Sequence, residues 1–448
     1  MPSPEGWDTL QRSLAENPNW AIETAIIYRA GGFYEDACAI LKLNADSKPS
    51  ASVYPLVYYY LGDTYLKLGK DADAETSFRL AESADSAYCF PHRLEDIEVL
   101  QNAMAADSNG SKAPYYLGCL WYDKRQYEDA IKCWQLSEKL NPDFPTAHRN
   151  LALAYFNKTN QKAEALAEME TAFSLNTEDA RVLMELDQLR RKMNVPAETR
   201  FAELKKHLDV VRKRDDLYLE YIALNNWFGK NQEALDMIMA RKFHPWEGGE
   251  GKVPAQYKTS LIEIGKKAIA DGDWKHAVEM LTKALTYPHN LGEGKLAGAQ
   301  DNDINYYLGC AYELGGDLEN AERCWKKAST GLSEPAGMMY YNDQPPETIY
   351  YQGLALLKLG DVDHAKSRFN KLITYGENHI NDSVKIEYFA VSLPDLMIFD
   401  DDLNRKNKVH CLFMMGLGFL GLGQNDRAHG VLSEAAALDP SHPAAKMI

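Results

Sequence analysis

Tyr60-Leu61-Gly62-Asp63-Thr64-Tyr65-Leu66-Lys67-Leu68-Gly69-Lys70-Asp71-Ala72-Asp73-Ala74-Glu75-Thr76-Ser77-Phe78-Arg79-Leu80-Ala81 decides the fold, because its spacing of small and large residues returns along the chain. Gly62 is followed at fixed offsets by Tyr65, Ala74, Phe78 and Ala81. The same offsets relate Gly118, Trp121, Ala130, Trp134 and Ser137, and again Gly309, Tyr312, Ala321, Trp325 and Ala328. Gly353, Ala365 and Phe369 repeat them, as do Gly416, Phe419, Ala428, Leu432 and Ala435. Weaker copies are Ala25, Tyr28, Ala37 and Leu41; Ile222, Ala234 and Ile238; and Gly265, Ala277, Leu281 and Ala284. Ala152, Tyr155, Ala165, Met169 and Ala172 form one more, with an extra residue in the turn. Self-similarity at a fixed period is the mark of a repeat architecture.

Physically the offsets describe two antiparallel helices. Small residues let the helices approach closely, and large ones fill the space around them. Between them sit turns such as Leu68-Gly69-Lys70-Asp71, Gly315-Gly316-Asp317 and Leu359-Gly360-Asp361, where Gly supplies the helix C-cap. The pattern resembles the tetratricopeptide repeat (TPR). The resemblance implies an all-α, right-handed superhelical solenoid of about ten antiparallel helix pairs. The expected units are 18–50, 55–88, 111–144, 145–178, 215–245, 258–291, 302–335, 346–379 and 409–442, with a degenerate pair over 179–210. Each unit needs its neighbours to bury its apolar face, so 1–448 is read as one solenoid. Its rhythm breaks at Asp85–Gly110, in a Gly-rich inter-repeat loop at 243–254, and in an insertion at 380–408 before the last repeat.

A net charge of −16 works against nucleic acid as a partner, since tracking phosphates needs clustered cations. Lys205, Lys206, Arg212, Lys213 and Arg214 are interrupted by Asp209, Asp215 and Asp216 and read as a solvated face. The N-terminus lacks a basic start followed by an apolar block, and no apolar run is long enough to span a membrane. A cytoplasmic location with no membrane association is expected. The seven cysteines are dispersed without a CxxC pair and are expected to be reduced. Cys119 and Cys133, like Cys310 and Cys324, occupy equivalent repeat positions without a companion His, and read as packing rather than metal ligands.

The insertion carries Ile386, Tyr388, Phe389, Val391, Leu393, Leu396, Met397, Ile398 and Phe399, and is expected to pack as short helical pieces against the last repeats. The aspartates at 400–402 that follow lack the alternation and Gly of a calcium loop. The run His244-Pro245-Trp246-Glu247-Gly248-Gly249-Glu250-Gly251-Lys252 is echoed by Asn290-Leu291-Gly292-Glu293-Gly294-Lys295. Neither has the spacing of a nucleotide-phosphate loop. His244, Trp246, Glu247, Glu250 and Lys252 form the best polar constellation, a candidate ligand loop, although long turns capped by Glu and Lys account for the same residues.

Those two runs, together with Tyr388-Phe389-Ala390-Val391-Ser392-Leu393-Pro394-Asp395 and the Gly-Leu-Gly of the last repeat, resemble the C-terminal repeat region of large microbial proteins. In that family the repeats follow an N-terminal domain of unknown function with a sugar-mutarotase-like β-sandwich. The resemblance implies either a mutarotase-like partner domain or a carbohydrate-directed role.

In the TPR family the first helix of each repeat tends to line the concave face. Carrying two of its positions over selects Tyr59 and Tyr60, Tyr115 and Tyr116, Arg149 and Asn150, Tyr306 and Tyr307, and Tyr350 and Tyr351. Tyr offers a flat apolar face and a hydroxyl, suited to a peptide, a helix or a sugar ring. One Tyr of each pair is equally read as packing between units. With no HExxH, GxSxG or Cys/His dyad, no catalytic residue, cofactor or metal is assigned. The sequence therefore points to a non-catalytic scaffold that binds a protein or neighbouring domain through a Tyr-rich groove. The alternative is the repeat portion of a carbohydrate-active or carbohydrate-binding protein.

Overall fold

A computed structural model describes residues 4–337, 343–385 and 398–447. Among the described residues regular structure is helical throughout, with no strand. The chain divides into two compact units, Met1–Thr177 and Glu178–Ile448.

The first unit contains α1 (Pro4–Glu16), α2 (Pro18–Ala30), α3 (Tyr34–Ala45), α4 (Pro55–Lys67), α5 (Asp71–Ser83), α6 (Glu95–Ala106), α7 (Lys112–Asp123), α8 (Tyr127–Leu140), α9 (Pro145–Asn157) and α10 (Lys162–Leu175). The second begins with α11 (Ala180–Lys192), α12 (Ala197–Lys206), α13 (Leu208–Val211), α14 (Asp215–Trp227), α15 (Asn231–Met239), α16 (Lys252–Ala270) and α17 (Trp274–Ala284). It continues with α18 (Asn302–Leu314), α19 (Leu318–Ala328), α20 (Pro346–Lys358), α21 (Val362–His379), α22 (Leu403–Gly421) and α23 (Asn425–Leu438), and ends in a 3-10 turn, Pro443–Lys446.

The helices pack as antiparallel pairs: α2 with α3, α4 with α5, α7 with α8 and α9 with α10 in the first unit. In the second, α14 pairs with α15, α16 with α17, α18 with α19, α20 with α21 and α22 with α23. These pairs coincide with the repeats read from the sequence. First helices of successive pairs also touch one another, as α14 with α16, α16 with α18, α18 with α20 and α20 with α22. That inner row against an outer row of second helices is the construction of a TPR-like solenoid.

The repeat offsets acquire a cause here. A Cβ added at Gly62 would lie 2.3 Å from the ring of Phe78, and one at Gly353 would lie 2.4 Å from Phe369. Gly118 and Gly309 stand in the same relation to Trp134 and Trp325, at 2.5 and 2.2 Å. The glycine is thus a seat for a large side chain of the partner helix, aromatic at these four positions and Leu at Gly265 (Leu281, 2.7 Å) and Gly416 (Leu432, 2.4 Å). In the copies that carry Leu41, Met169 and Ile238 at the later position, the seat position holds Ala25, Ala152 and Ile222. True approach of two backbones occurs between α21 and α22, where a Cβ at Gly418 would meet Phe369 O at 2.6 Å and one at Gly376 would meet Cys411 O at 2.7 Å.

Each break in the rhythm has its own outcome. Asp85–Gly110 contains α6, which packs between α4 and α7. The described end of the 380–408 insertion extends α22 to Leu403, making it a 19-residue helix, with Asp402 capping Arg405 N at 3.0 Å. Residues 386–397 of the insertion, including Tyr388 to Asp395, lie outside the described residues.

Candidate partner-binding site

The tyrosines chosen from sequence have different surroundings in the two units. In the first, Tyr59, Tyr60, Tyr115 and Tyr116 are 2%, 0%, 8% and 0% exposed. α6 and the segment before it adjoin Tyr59, Tyr60 and Tyr116, and Phe144 packs on Tyr115. The Tyr60 hydroxyl donates to Asp96 Oδ1 at 2.7 Å, and Asp96 Oδ2 accepts the main-chain N–H groups of His92 (2.9 Å) and Arg93 (3.0 Å). Arg93 reaches back to α2, pairing with Glu23 and donating to Asn19 Oδ1 at 3.0 Å. The Tyr59 ring centre lies 5.9 Å from that of Tyr116, and Tyr115 lies 4.8 Å from Phe144. Burial pushes all four phenols above their ordinary range. Arg149 and Asn150, both half-buried, bond to one another at 3.2 Å, and Asn150 donates to Cys119 Sγ at 3.7 Å.

In the second unit Tyr306, Tyr307, Tyr350 and Tyr351 are half-buried and come together on the inner helices α18 and α20. Ring centres are 5.3 Å apart for Tyr306 and Tyr307, 5.6 Å for Tyr306 and Tyr351, and 5.5 Å for Tyr350 and Tyr351. The Tyr307 and Tyr351 hydroxyls meet at 3.1 Å. The Tyr306–Tyr307 and Tyr350–Tyr351 pairs are edge-on, an arrangement that suits the ring quadrupoles, and Tyr306–Tyr351 is tilted. The Lys266 ammonium of α16 lies 5.6 Å from the Tyr307 ring centre and pairs with Glu263 at 2.7 Å. Lys266, Trp227 and the C-terminal Lys446 were not selected from sequence. Lys266 follows the small-residue position Gly265, a local signal that could have placed it on the inner row; nothing local marks Lys446.

The candidate ligand loop is built on different partners. His244 is held by Asp215 Oδ2, which accepts its main-chain N–H at 2.9 Å and faces its Nδ1 at 3.3 Å. Arg241 pairs with the same carboxylate at 2.5 Å. The Trp246 ring folds over Gly249, where a Cβ would come within 2.1 Å of it. Glu247 and Lys252 are exposed, Glu250 is half-buried, and Lys252 opens α16. The two Gly-Glu-Gly-Lys runs pack together: Phe243 N donates to Asn290 O at 2.8 Å and Gly251 N to Glu293 Oε2 at 2.8 Å. Asn290 Nδ2 in turn closes on the carbonyls of Ile238 and Arg241, at 2.9 and 3.1 Å. The echo between the runs therefore corresponds to one structural clasp.

Of the other charged groups, Asp401 pairs with Lys192 and Lys406. Lys213 pairs with Glu178 at 2.5 Å, and Arg214 with Asp216 at 2.6 Å. Glu138, His148 and Glu168 gather in the first unit with candidate ligand atoms within 4.8 Å of one another. Both His148 nitrogens face oxygen acceptors, Nδ1 with Glu168 at 2.6 Å and Nε2 with the Pro142 carbonyl at 2.8 Å. That is the geometry of an imidazolium, and the Glu168 bond holds the His148 pKa above its ordinary value. All seven cysteines are free, and burial raises Cys119 and Cys133 to about 11, out of reactive range. No described helix is long and apolar enough to cross a membrane.

The fold and its inner row define a helical-repeat array that resembles a TPR solenoid. The tetratricopeptide repeat family matches residues 56–88 and 347–375, and a TPR repeat description matches 118–158. Similar solved structures include YrrB, titled a TPR protein with an unusual peptide-binding site, at 14% identity, 51% of this chain, 99% of that one and TM-score 0.32. PilF of Pseudomonas aeruginosa is similar at 18% identity, 51% and 91% coverage and TM-score 0.28. MamA of Desulfovibrio magneticus RS-1 gives 19%, 44% and 97%, and 0.26.

Proposed function

We propose that the chain is a non-catalytic scaffold that binds a protein or peptide through the inner face of its second unit, with Tyr306, Tyr307, Tyr350 and Tyr351 as the anchor. The observation that carries this is the half-exposed cluster itself, four rings gathered on α18 and α20 with a cation beside them. Clustered, partly exposed Tyr supplies contact area at low entropic cost. The first-unit tyrosines contribute packing to this reading, with Arg149 and Asn150 as the polar positions left there. A mutarotase-like domain is the partner to supply first, on the resemblance noted above. The carbohydrate alternative would rest on His244, Trp246, Glu247, Glu250 and Lys252, whose clasp geometry gives it no convergent site, and we do not carry it further.

The test is a binding comparison between the wild-type chain and Tyr307→Ala/Tyr351→Ala, using a supplied mutarotase-like domain and a peptide library. Loss of binding in a variant that keeps its helical circular dichroism supports the anchor; equal binding by both proteins counts against it.

A further inference from the structure

The C-terminal turn of the second unit lies against the unit's own first helices. Ala444 is fully buried, and the ring of His442 sits 4.8 Å from Phe413, so the turn is seated on the last repeat. From there Ser441 Oγ accepts a bond from Arg191 Nε of α11 at 3.3 Å. Lys446 reaches α14, where its ammonium lies 4.7 Å from the Trp227 ring centre and donates to the Asn226 carbonyl at 3.3 Å. An ammonium over an indole with a carbonyl to receive its proton is a lysine-recognition geometry. Burial first, and then the Lys266 charge, lower the Lys446 pKa, while Glu263 opposes them; Lys266 in turn lies 5.6 Å from the Tyr307 ring centre.

We propose that the Trp227 indole face and the Asn226 carbonyl form a lysine site on α14, filled here by the chain's own Lys446, and that a lysine of a basic partner peptide takes it when the turn is displaced. This rests on the scaffold reading and adds the chemistry of the peptide and a built-in competitor. Lys446 and Met447 are exposed, so solvent reaches the occupied site. A net charge of −16 favours the approach of a basic segment over an acidic one.

The test uses the full chain. Lys446→Ala empties the site while leaving the Ala444 anchor in place, and Lys446→Met keeps the aliphatic stem should the alanine variant fold poorly. The probe is a fluorescein-labelled peptide of the chain's own sequence from Ser441 to Ile448, titrated by fluorescence anisotropy. Removing the intramolecular competitor should tighten peptide binding at least about fivefold over the wild type. Trp227→Ala in the Lys446→Ala background, or alanine for lysine in the peptide, should each abolish that gain. Equal affinity of wild type and Lys446 variants, no binding to either, or indifference to the peptide's lysine overturns the proposal. If Tyr307→Ala/Tyr351→Ala weakens the peptide and Trp227→Ala does not, the lysine site falls and the scaffold stands; if neither matters, both fall.

Discussion

Replacing Gly309 by alanine puts a methyl group 2.2 Å from Trp325 Nε1, 2.4 Å from Cδ1 and 2.8 Å from Cε2. Trp325 is 6% exposed, with Ala321, Ala328 and Ala355 in the same core cluster, so its indole has little room to swing away. Overpacking of this kind costs up to about 3 kcal/mol. Alanine's better helix propensity returns about 1 kcal/mol. The net expectation is a loss of about 2 kcal/mol, read as a lower urea midpoint by circular dichroism. Gly430→Ala is the control: it lies in α23 with nothing within 4 Å of its added Cβ, so only the propensity gain of about 1 kcal/mol remains. Trp325→Ala, which clears the seat, should relieve Gly309→Ala, giving a coupling of about 1 kcal/mol or more in a double-mutant cycle. If Gly309→Ala is neutral or stabilising, like Gly430→Ala, the seat explanation of the repeat is wrong.

Three further outcomes follow from individual contacts. Tyr60→Phe removes the 2.7 Å bond to fully buried Asp96 and should destabilise the first unit by about 1–2 kcal/mol in urea melts; no change would mean that the bond carries no net stability. Arg125, exposed and at φ 61° in the turn between α7 and α8, should gain roughly 0.5–1 kcal/mol on replacement by glycine, measured the same way. His148 has a folded-state pKa raised first by its bond to Glu168, so the stability it contributes is complete below the unfolded pKa of about 6.5 and lost as pH rises through the folded value. A urea-midpoint profile from about pH 6 to about pH 9 should therefore fall more steeply for wild type than for His148→Gln, with parallel profiles sinking the assignment.

The repeat was legible because its signal is periodic and local: Gly62 with Phe78 and Gly309 with Trp325 each sit within one helix pair, close in sequence as well as in space. The same reasoning treated Asp85–Gly110 as a break, and α6 within it lacks the repeat offsets although Val99, Leu100 and Ala103 give it an apolar side. Its effect on Tyr59, Tyr60 and Tyr116 was hidden for the same cause, since a position's exposure depends on what an insertion lays over it. In the clasp, the resemblance between 247–252 and 292–295 was visible, but mutual packing through Asn290 needs the chain's path. Contacts of the longest range were the least accessible. Nothing local in Trp227 or Lys446 announces a pairing across most of the second unit.

The most direct measurement is selection of binding peptides from an unbiased display library on the wild-type chain, with calorimetric affinities then taken for wild type, Tyr307→Ala and Tyr351→Ala. The account predicts ligands whose affinity falls at least about tenfold in either variant, as expected when a central aromatic anchor is lost, with amide exchange slowed along α18 and α20 on binding. Tight ligands that bind both variants as well as they bind wild type, and protect other helices instead, would contradict it.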